Sequence, residues 1–221
     1  MSEWVDWHRG YFAGSQLQQR LAVVQRFLRE AIDAAQPGHI QLVSLCAGDG
    51  RDVIGVLRDH PRASDIFARL VELDSSLAHD AREAVRRNAL PHVDVREADA
   101  GSTDACDGAV PATIVVVCGI FGNLTDADVR NTVSHIPELC APGAAVIWTR
   151  GTFAPDLTPH IREWFGATGF DEVGFVRIPD TTAAIGMHRL AAEPRVFQPG
   201  VRLFTFLPAE QRPSGRPASP P

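Results

Sequence analysis

The sequence predicts an α/β protein: a doubly wound sheet of seven strands, mostly parallel, with an antiparallel last strand. Three observations carry this prediction. Strand-like apolar runs alternate with amphipathic helical patterns between residues 40 and 168, and such alternation folds as a parallel sheet with helices on both faces. The run Ala112–Cys118 is almost continuously apolar and rich in β-branched residues, as suits a central strand buried on both faces. Past residue 168 the alternation ends, and two strand-like segments follow with no crossover helix between them, which calls for an antiparallel partner.

The elements follow in order. Leu17, Leu21, Val24, Leu28, Ala31 and Ala35 recur at helical spacing, so 15–36 is an amphipathic helix that Pro37-Gly38 ends. Ile40–Leu45 is a short strand running into glycines, and Asp52–Asp59 a helix stopped before Pro61. Ala68–Leu73 is a strand, Ser75–Ala89 a helix, and His92–Glu97 a strand of mixed character. After the central strand come a helix at Asp126–Cys140 with an internal Pro137, a strand at Ala144–Thr149, and a helix at Thr158–Thr168 with Pro159 in its first turn. Glu172–Ile178 and Val201–Leu207 are the last two strands expected, separated by a Pro-containing insert over 179–200. The domain therefore spans 15–207. It is preceded by an aromatic lid segment at 1–14 and followed by a tail, 208–221, whose five prolines predict disorder.

Composition narrows the function. The chain of 221 residues is long enough for one α/β domain with a sizeable core. Its net charge of -6 weighs against a polyanionic partner such as nucleic acid. The four cysteines, Cys46, Cys106, Cys118 and Cys140, show no C-x-x-C spacing and no histidine pair at metal spacing, so a metal site is not expected. They read as buried, reduced thiols. The N-terminus lacks a basic-then-apolar leader pattern, and the longest apolar stretch, around Ala112–Ile120, is too short to span a bilayer. A cytoplasmic protein without a membrane partner is the expectation. The oligomeric state is open, a homodimer being one option.

In open α/β sheets the ligand sits outside the carboxyl ends of the strands. The first strand ends in Cys46-Ala47-Gly48-Asp49-Gly50, where small residues let backbone N–H groups approach a ligand. The second ends in Val71-Glu72-Leu73-Asp74, where Asp74, followed by Ser75, is placed to accept from ribose hydroxyls. An N-cap for the following helix is the competing role of Asp74. The third ends in Ala98-Asp99-Ala100, a carboxylate for an adenine amino group between residues small enough to admit the ring. The fourth ends in Cys118-Gly119-Ile120-Phe121-Gly122-Asn123.

With these residues in order at successive strand ends, the chain resembles the class I S-adenosylmethionine-dependent methyltransferases, over 40–150 and by extension 15–207. Leu45-Cys46-Ala47-Gly48-Asp49-Gly50-Arg51-Asp52 looks like a variant from actinobacterial-type members. The resemblance implies a Rossmann-like fold and S-adenosylmethionine as cofactor, held by Cys46, Ala47, Gly48, Gly50, Asp74, Ser75, Ala98, Asp99, Ala100, Cys118 and Gly119. The motif's usual acid is replaced by Ser44 and its first glycine by Cys46; Asp49 and Asp52 are the nearby carboxylates. Two rivals stand beside this reading. A nicotinamide-binding oxidoreductase would want a third glycine where Val53 stands. A non-catalytic ligand-binding or regulatory protein on the same fold is the other.

Methyl transfer needs an acceptor held in line and relieved of any proton. His8 and Tyr11 in the aromatic lid, Asn123 after the fourth strand and His188 in the late insert are the candidate catalytic residues. Arg150 is placed either to bind an anionic substrate or to pair with a surface carboxylate. The loop after the fourth strand lacks the Asn/Asp-Pro-Pro-aromatic pattern of base-amine methylases. A small-molecule acceptor, methylated at O, N or C, is therefore expected.

Overall fold

The computed structural model describes residues 10–12 and 14–212. Strands β1 (Ile40–Leu45), β2 (Ile66–Glu72), β3 (Val93–Glu97), β4 (Ala112–Val117), β5 (Cys140–Gly151), β6 (Phe170–Arg177) and β7 (Ala183–Leu190) form one sheet in the order β3-β2-β1-β4-β5-β7-β6. Only β7 runs antiparallel to its neighbours, β5 and β6. Among the described residues, five α-helices cover the faces: α1 (Gln16–Ala34), α2 (Arg51–Leu57), α3 (Ser75–Arg87), α4 (Asp126–Leu139) and α5 (Thr158–Ala167). The fold class is the one the sequence predicts.

The two cores follow from strand alternation. Leu42, Ile114, Val116 and Ile147 point toward Val24, Leu28 and Ile32 of α1 and Val53 of α2. Val43, Val115, Val117, Val146 and Trp148 point the other way, toward Val129, Val133 and Ile136 of α4 and Ile161 and Phe165 of α5. Ser15 caps α1 by accepting from Gln18 N at 3.1 Å, and Thr125 caps α4 by accepting from Asp128 N at 3.0 Å.

The C-terminal end corrects the sequence reading. The insert expected over 179–200 contains β7, and Val201–Leu207 adds no strand to the sheet. Segment 183–190, Ala-Ala-Ile-Gly-Met-His-Arg-Leu, lacks a β-branched run but fits a narrow slot. Gly186 pairs with Trp148, and a Cβ there would lie 2.4 Å from the indole Cε2. The strand-like 201–207 instead crosses the ends of other elements. Leu203 N donates to Gly101 O at 2.7 Å, the Leu203 carbonyl accepts from Asn131 Nδ2 at 2.8 Å, and Leu203 and Phe204 fill the core. Its alternation reflects burial against loops, a pattern that period alone cannot tell from a sheet strand.

Candidate active site

The sheet changes winding direction between β1 and β4, a topological switch point. At the carboxyl ends of the strands there, loops enclose a cavity of about 450 Å³, a size typical of small-molecule sites.

The loop after β1 forms one wall. Cys46, Gly48 and Gly50 have φ of 51°, 60° and 75°, so every second residue is left-handed. Glycine suits such positions, and at Gly50 a Cβ would also lie 2.6 Å from Ile54 Cδ1. Cys46 takes the same conformation with a side chain, at a cost of about 1–2 kcal/mol. Burial pushes its thiol well above the usual range, with the charges of Glu72 and Asp99 adding to the effect. It stays protonated and is no nucleophile. Cys46 and Ala47 line the cavity; Gly48 and Gly50 shape the loop behind them.

Glu72, the last residue of β2, faces this loop and lines the cavity. It is 8% exposed, and each of its oxygens accepts a backbone N–H: Gly48 N at 2.8 Å and Asp74 N at 2.8 Å. Beside it Leu73, a large apolar side chain 64% exposed, also lines the cavity. Asp74 reaches the cavity wall but caps α3, its Oδ1 accepting from Ser76 N at 3.0 Å and Leu77 N at 3.1 Å. Ser75 opens that helix. The N-cap role weighed against ribose binding is thus present in the geometry.

Asp99 follows β3 as expected, but its Oδ1 accepts from Gly101 N at 2.8 Å and its Oδ2 pairs with Arg202 at 2.6 Å. Neither Asp99 nor its neighbours Ala98 and Ala100 are among the residues lining the cavity.

The loop after β4 closes the middle. Cys118 and Gly119 line the cavity, and Gly119, with φ of 76°, donates its N–H to Thr149 Oγ1 at 2.8 Å. Asn123 also lines it; its Nδ2 donates to Gly119 O at 2.8 Å, and its carbonyl accepts from Leu207 N at 2.9 Å. These bonds make Asn123 a brace between the loop and the C-terminal segment.

At the cofactor-loop end stand Tyr11, Arg20, Arg51 and Asp52. Arg20 Nη2 donates to Tyr11 Oη, and the Arg51 guanidinium lies 4.1 Å from the centroid of the Tyr11 ring. Arg51 Nε also donates to Asp49 Oδ1 at 2.8 Å. Burial pushes the Tyr11 phenol up to about 12, against the weaker pull of Arg20. A phenol raised in this way keeps its proton at neutral pH, which suits a hydrogen-bonding role.

At the other end Arg150 of β5, Phe153, Thr182 and Phe206 line the cavity. Arg150 is 6% exposed, with its Cζ 4.7 Å from the centroid of the Phe153 ring. Burial lowers its pKa, and Asp126 and Asp156 oppose the shift.

His188 corrects the sequence reading. It lies in β7, 1% exposed, in the core facing α5. Trp148 Nε1 donates to its Nδ1 at 3.1 Å, and its ring stacks on Phe165 at 4.5 Å between centroids. It is absent from the cavity wall, because it pairs with Val146, four residues back along β5 from Arg150, away from the carboxyl end that borders the cavity. Burial lowers its pKa from 6.5 to about 4. His8 lies outside the described residues. Among the described residues no cluster of His, Cys, Asp and Glu could hold a metal, and no helix is long and apolar enough to cross a membrane.

Sequence reasoning passed over Glu72 and Arg20. The helix boundary held the signal for Glu72: once Asp74 is read as the N-cap, the strand's last acid is Glu72. Arg20 sits inside an amphipathic helix, where nothing in the sequence separates it from a solvated charge.

Comparison with known proteins adds to this geometry. A curated relative, the uncharacterized protein YnbC of Escherichia coli (strain K12), is 24% identical over 145 residues; this covers 64% of the present chain but only 25% of the relative. The fold matches an O-methyltransferase family protein from Burkholderia thailandensis with a TM-score of 0.63 at 17% identity, over 80% of this chain and 57% of that one. It also matches magnesium protoporphyrin IX methyltransferase (ChlM) from Synechocystis PCC 6803 with a TM-score of 0.64 at 13% identity, over 85% and 91% of the two chains. Residues 10–163 match the model of a family described as "Putative methyltransferase". That span runs from the segment bearing Tyr11 through β5 and into α5, so it includes every loop of the cavity described above except the one before β7 and the one bearing Phe206, and the chain belongs to this methyltransferase family.

Proposed function

We propose that the protein transfers the methyl group of S-adenosylmethionine to a small molecule, at an oxygen, nitrogen or carbon atom. Family membership implies this cofactor. The observation that carries the reading is Glu72. Its carboxylate is buried at the end of β2, fixed by two backbone N–H groups, and presented to the cavity between the glycine loop and exposed Leu73. An acid so fixed accepts from vicinal ribose hydroxyls without reorganising, and Leu73 with Leu77 gives a purine an apolar wall. In this reading Glu72 takes the role that the sequence gave to Asp74.

The remaining groups fit the rest of the cofactor. Cys46, Ala47 and Gly119 are small where its chain must pass. Arg20, oriented by Tyr11, would hold the methionine carboxylate, and Asp52 would supply the negative charge that Ser44 does not. Bound, the cofactor supplies an electrophilic methyl group on a sulfonium. The protein's own contribution is to hold the acceptor in line, with Asn123 and the Thr149-braced Gly119 fixing the loop beside it. Among the described residues the cavity wall contains no histidine.

Calorimetry tests the assignment. The wild type should bind S-adenosylhomocysteine and give no heat with NAD. Glu72→Gln should weaken S-adenosylhomocysteine binding about tenfold or more, the scale of a hydrogen bond to a charged group. Asp74→Asn, which preserves a good N-cap, should stay near wild type. A larger loss in Asp74→Asn than in Glu72→Gln would return the ribose to Asp74. NAD binding without S-adenosylhomocysteine binding would favour the oxidoreductase.

A further inference from the structure

We propose that the methyl acceptor is a small carboxylic acid whose carboxylate is gripped by Arg150. This rests on the reading of the cavity as a methyltransferase site and extends it to the acceptor's chemical class.

Other arginines with little exposure show what a structural arginine looks like in this fold. Arg62 donates to the carbonyls of Ile32, Ala35 and Gln36 at 2.6, 2.8 and 2.7 Å and to Asp65 at 3.1 Å. Arg51 is held by Asp49. Arg150 is different. Its Nε and Nη1 are buried and have no hydrogen-bond partner, and among the described residues it forms no ion pair. Its cross-strand neighbour on β7 is Ala184, which offers no side-chain acceptor. Asp156, one of the acids that feel its charge, is engaged by Arg177 Nη2 at 2.5 Å and by Thr158 N at 2.9 Å. A buried cation without a counter-ion is unfavourable unless a ligand supplies the missing charge.

The surroundings hold this charge in place instead of neutralising it. Phe153 packs under the guanidinium, and Gly151 permits that fold-back, since a Cβ at Gly151 would lie 2.2 Å from Phe153 Cε1. Gly122 lies beside the group, where a Cβ would come 3.6 Å from Nη1. The group lines the cavity beside Asn123, Thr182 and Phe206. A planar guanidinium in a partly aromatic pocket matches a carboxylate on an apolar body. A phosphate dianion would call for a second cation, and Arg20 and Arg51 stand with Tyr11 at the other end.

The experiment uses the full chain saturated with S-adenosylhomocysteine and titrated with acetate, benzoate and indole-3-acetate, each against its neutral amide, and with phenyl phosphate. At least one acid should bind about tenfold or more tightly than its amide, the scale of one charge-assisted contact. In Arg150→Met that preference should vanish while S-adenosylhomocysteine affinity stays within about twofold, a change under half a kcal/mol. The variant should also melt several degrees higher, because an unpaired buried charge has been removed. No acid–amide preference in the whole series, or a preference that survives in Arg150→Met, overturns the proposal. So does a fall in the variant's Tm, which would mean that the guanidinium is satisfied within the protein. Phenyl phosphate binding more tightly than every carboxylate moves the assignment to a phosphate. If the wild type fails to bind S-adenosylhomocysteine, the methyltransferase reading fails, and the same acid–amide comparison on the free protein still decides the role of Arg150.

Discussion

The two ends of the cavity are built on opposite principles. At the β1–β2 end each charged group named above has a partner: Glu72 has two N–H donors, Arg51 has Asp49, and Arg20 has Tyr11. At the β5–β7 end Arg150 stands against Phe153 with buried nitrogens unpaired. A site that meets the same ligand in every turnover gains from groups fixed in advance. The acceptor end is left electrostatically incomplete, so a ligand of the right charge gains more there than it would in a neutralised pocket. Under the proposed function, that contrast divides the roles: the first end serves the cofactor, and the second selects the substrate.

The largest expected effect concerns the floor of the acceptor end. β5 and β7 carry Arg150 at the cavity end and, on the same face further along the strands, the Trp148–His188 contact. His188 is held neutral by burial, its pKa lowered from 6.5 to about 4; Glu172, with its nearest oxygen 3.8 Å from Nε2, opposes the shift and Arg162 adds to it. The unfolded chain therefore binds the proton first as pH falls. The stabilisation is complete above pH 6.5 and is lost progressively down to about pH 4, on the order of 3 kcal/mol in all. Thermal melts between pH 8 and 4 should show His188→Gln less stable than wild type at neutral pH but with a flatter decline in acid. Parallel curves would mean that His188 does not titrate on unfolding, and the two ends would then share one response to acid.

The sequence made one of these ends easier to read than the other. Cys46–Gly50 was legible because left-handed backbone at alternate positions demands small residues, and the strand before it carries a clear apolar pattern. The central strand was legible because burial on both faces leaves Thr113 as its one polar residue. β7 was not, since Ala183, Ala184 and Gly186 carry no strand signal of their own, and Gly186 is there because it fits against Trp148. The misplacement of His188 follows from that miss: a residue in a presumed loop reads as a base near the substrate, whereas in a strand its side is set by register. Glu72 was passed over because the sequence left Asp74 two roles, ribose acid and N-cap, and only the structure shows its side chain capping α3. Arg150 was legible as a position, but its lack of a partner exists only in three dimensions.

A smaller effect probes the cofactor end directly. Arg20→Met should weaken S-adenosylhomocysteine binding by about 2 kcal/mol, or roughly thirtyfold, if Arg20 faces the methionine carboxylate. 5′-Methylthioadenosine lacks that carboxylate and should bind the variant and the wild type alike. Equal losses for both ligands would show that Arg20 supports the loop through Tyr11 and makes no contact with the carboxylate. The partnered and unpartnered arginines would then differ in packing alone.

The smallest effect is expected at Asp99, on the rim of the cofactor end. Its side chain is 48% exposed, and its Oδ2 is engaged by Arg202 at 2.6 Å. An exposed pair of this kind contributes under about 1 kcal/mol, so Asp99→Asn should shift Tm only slightly. To accept from an adenine amino group, Asp99 would have to share or release Arg202, which offsets much of the gain. S-Adenosylhomocysteine affinity should therefore stay within about threefold, a change of less than 1 kcal/mol. A loss as large as that of Glu72→Gln would show that ligand binding displaces Arg202. The cofactor end would then also be completed by its ligand, and the contrast with Arg150 would become one of degree.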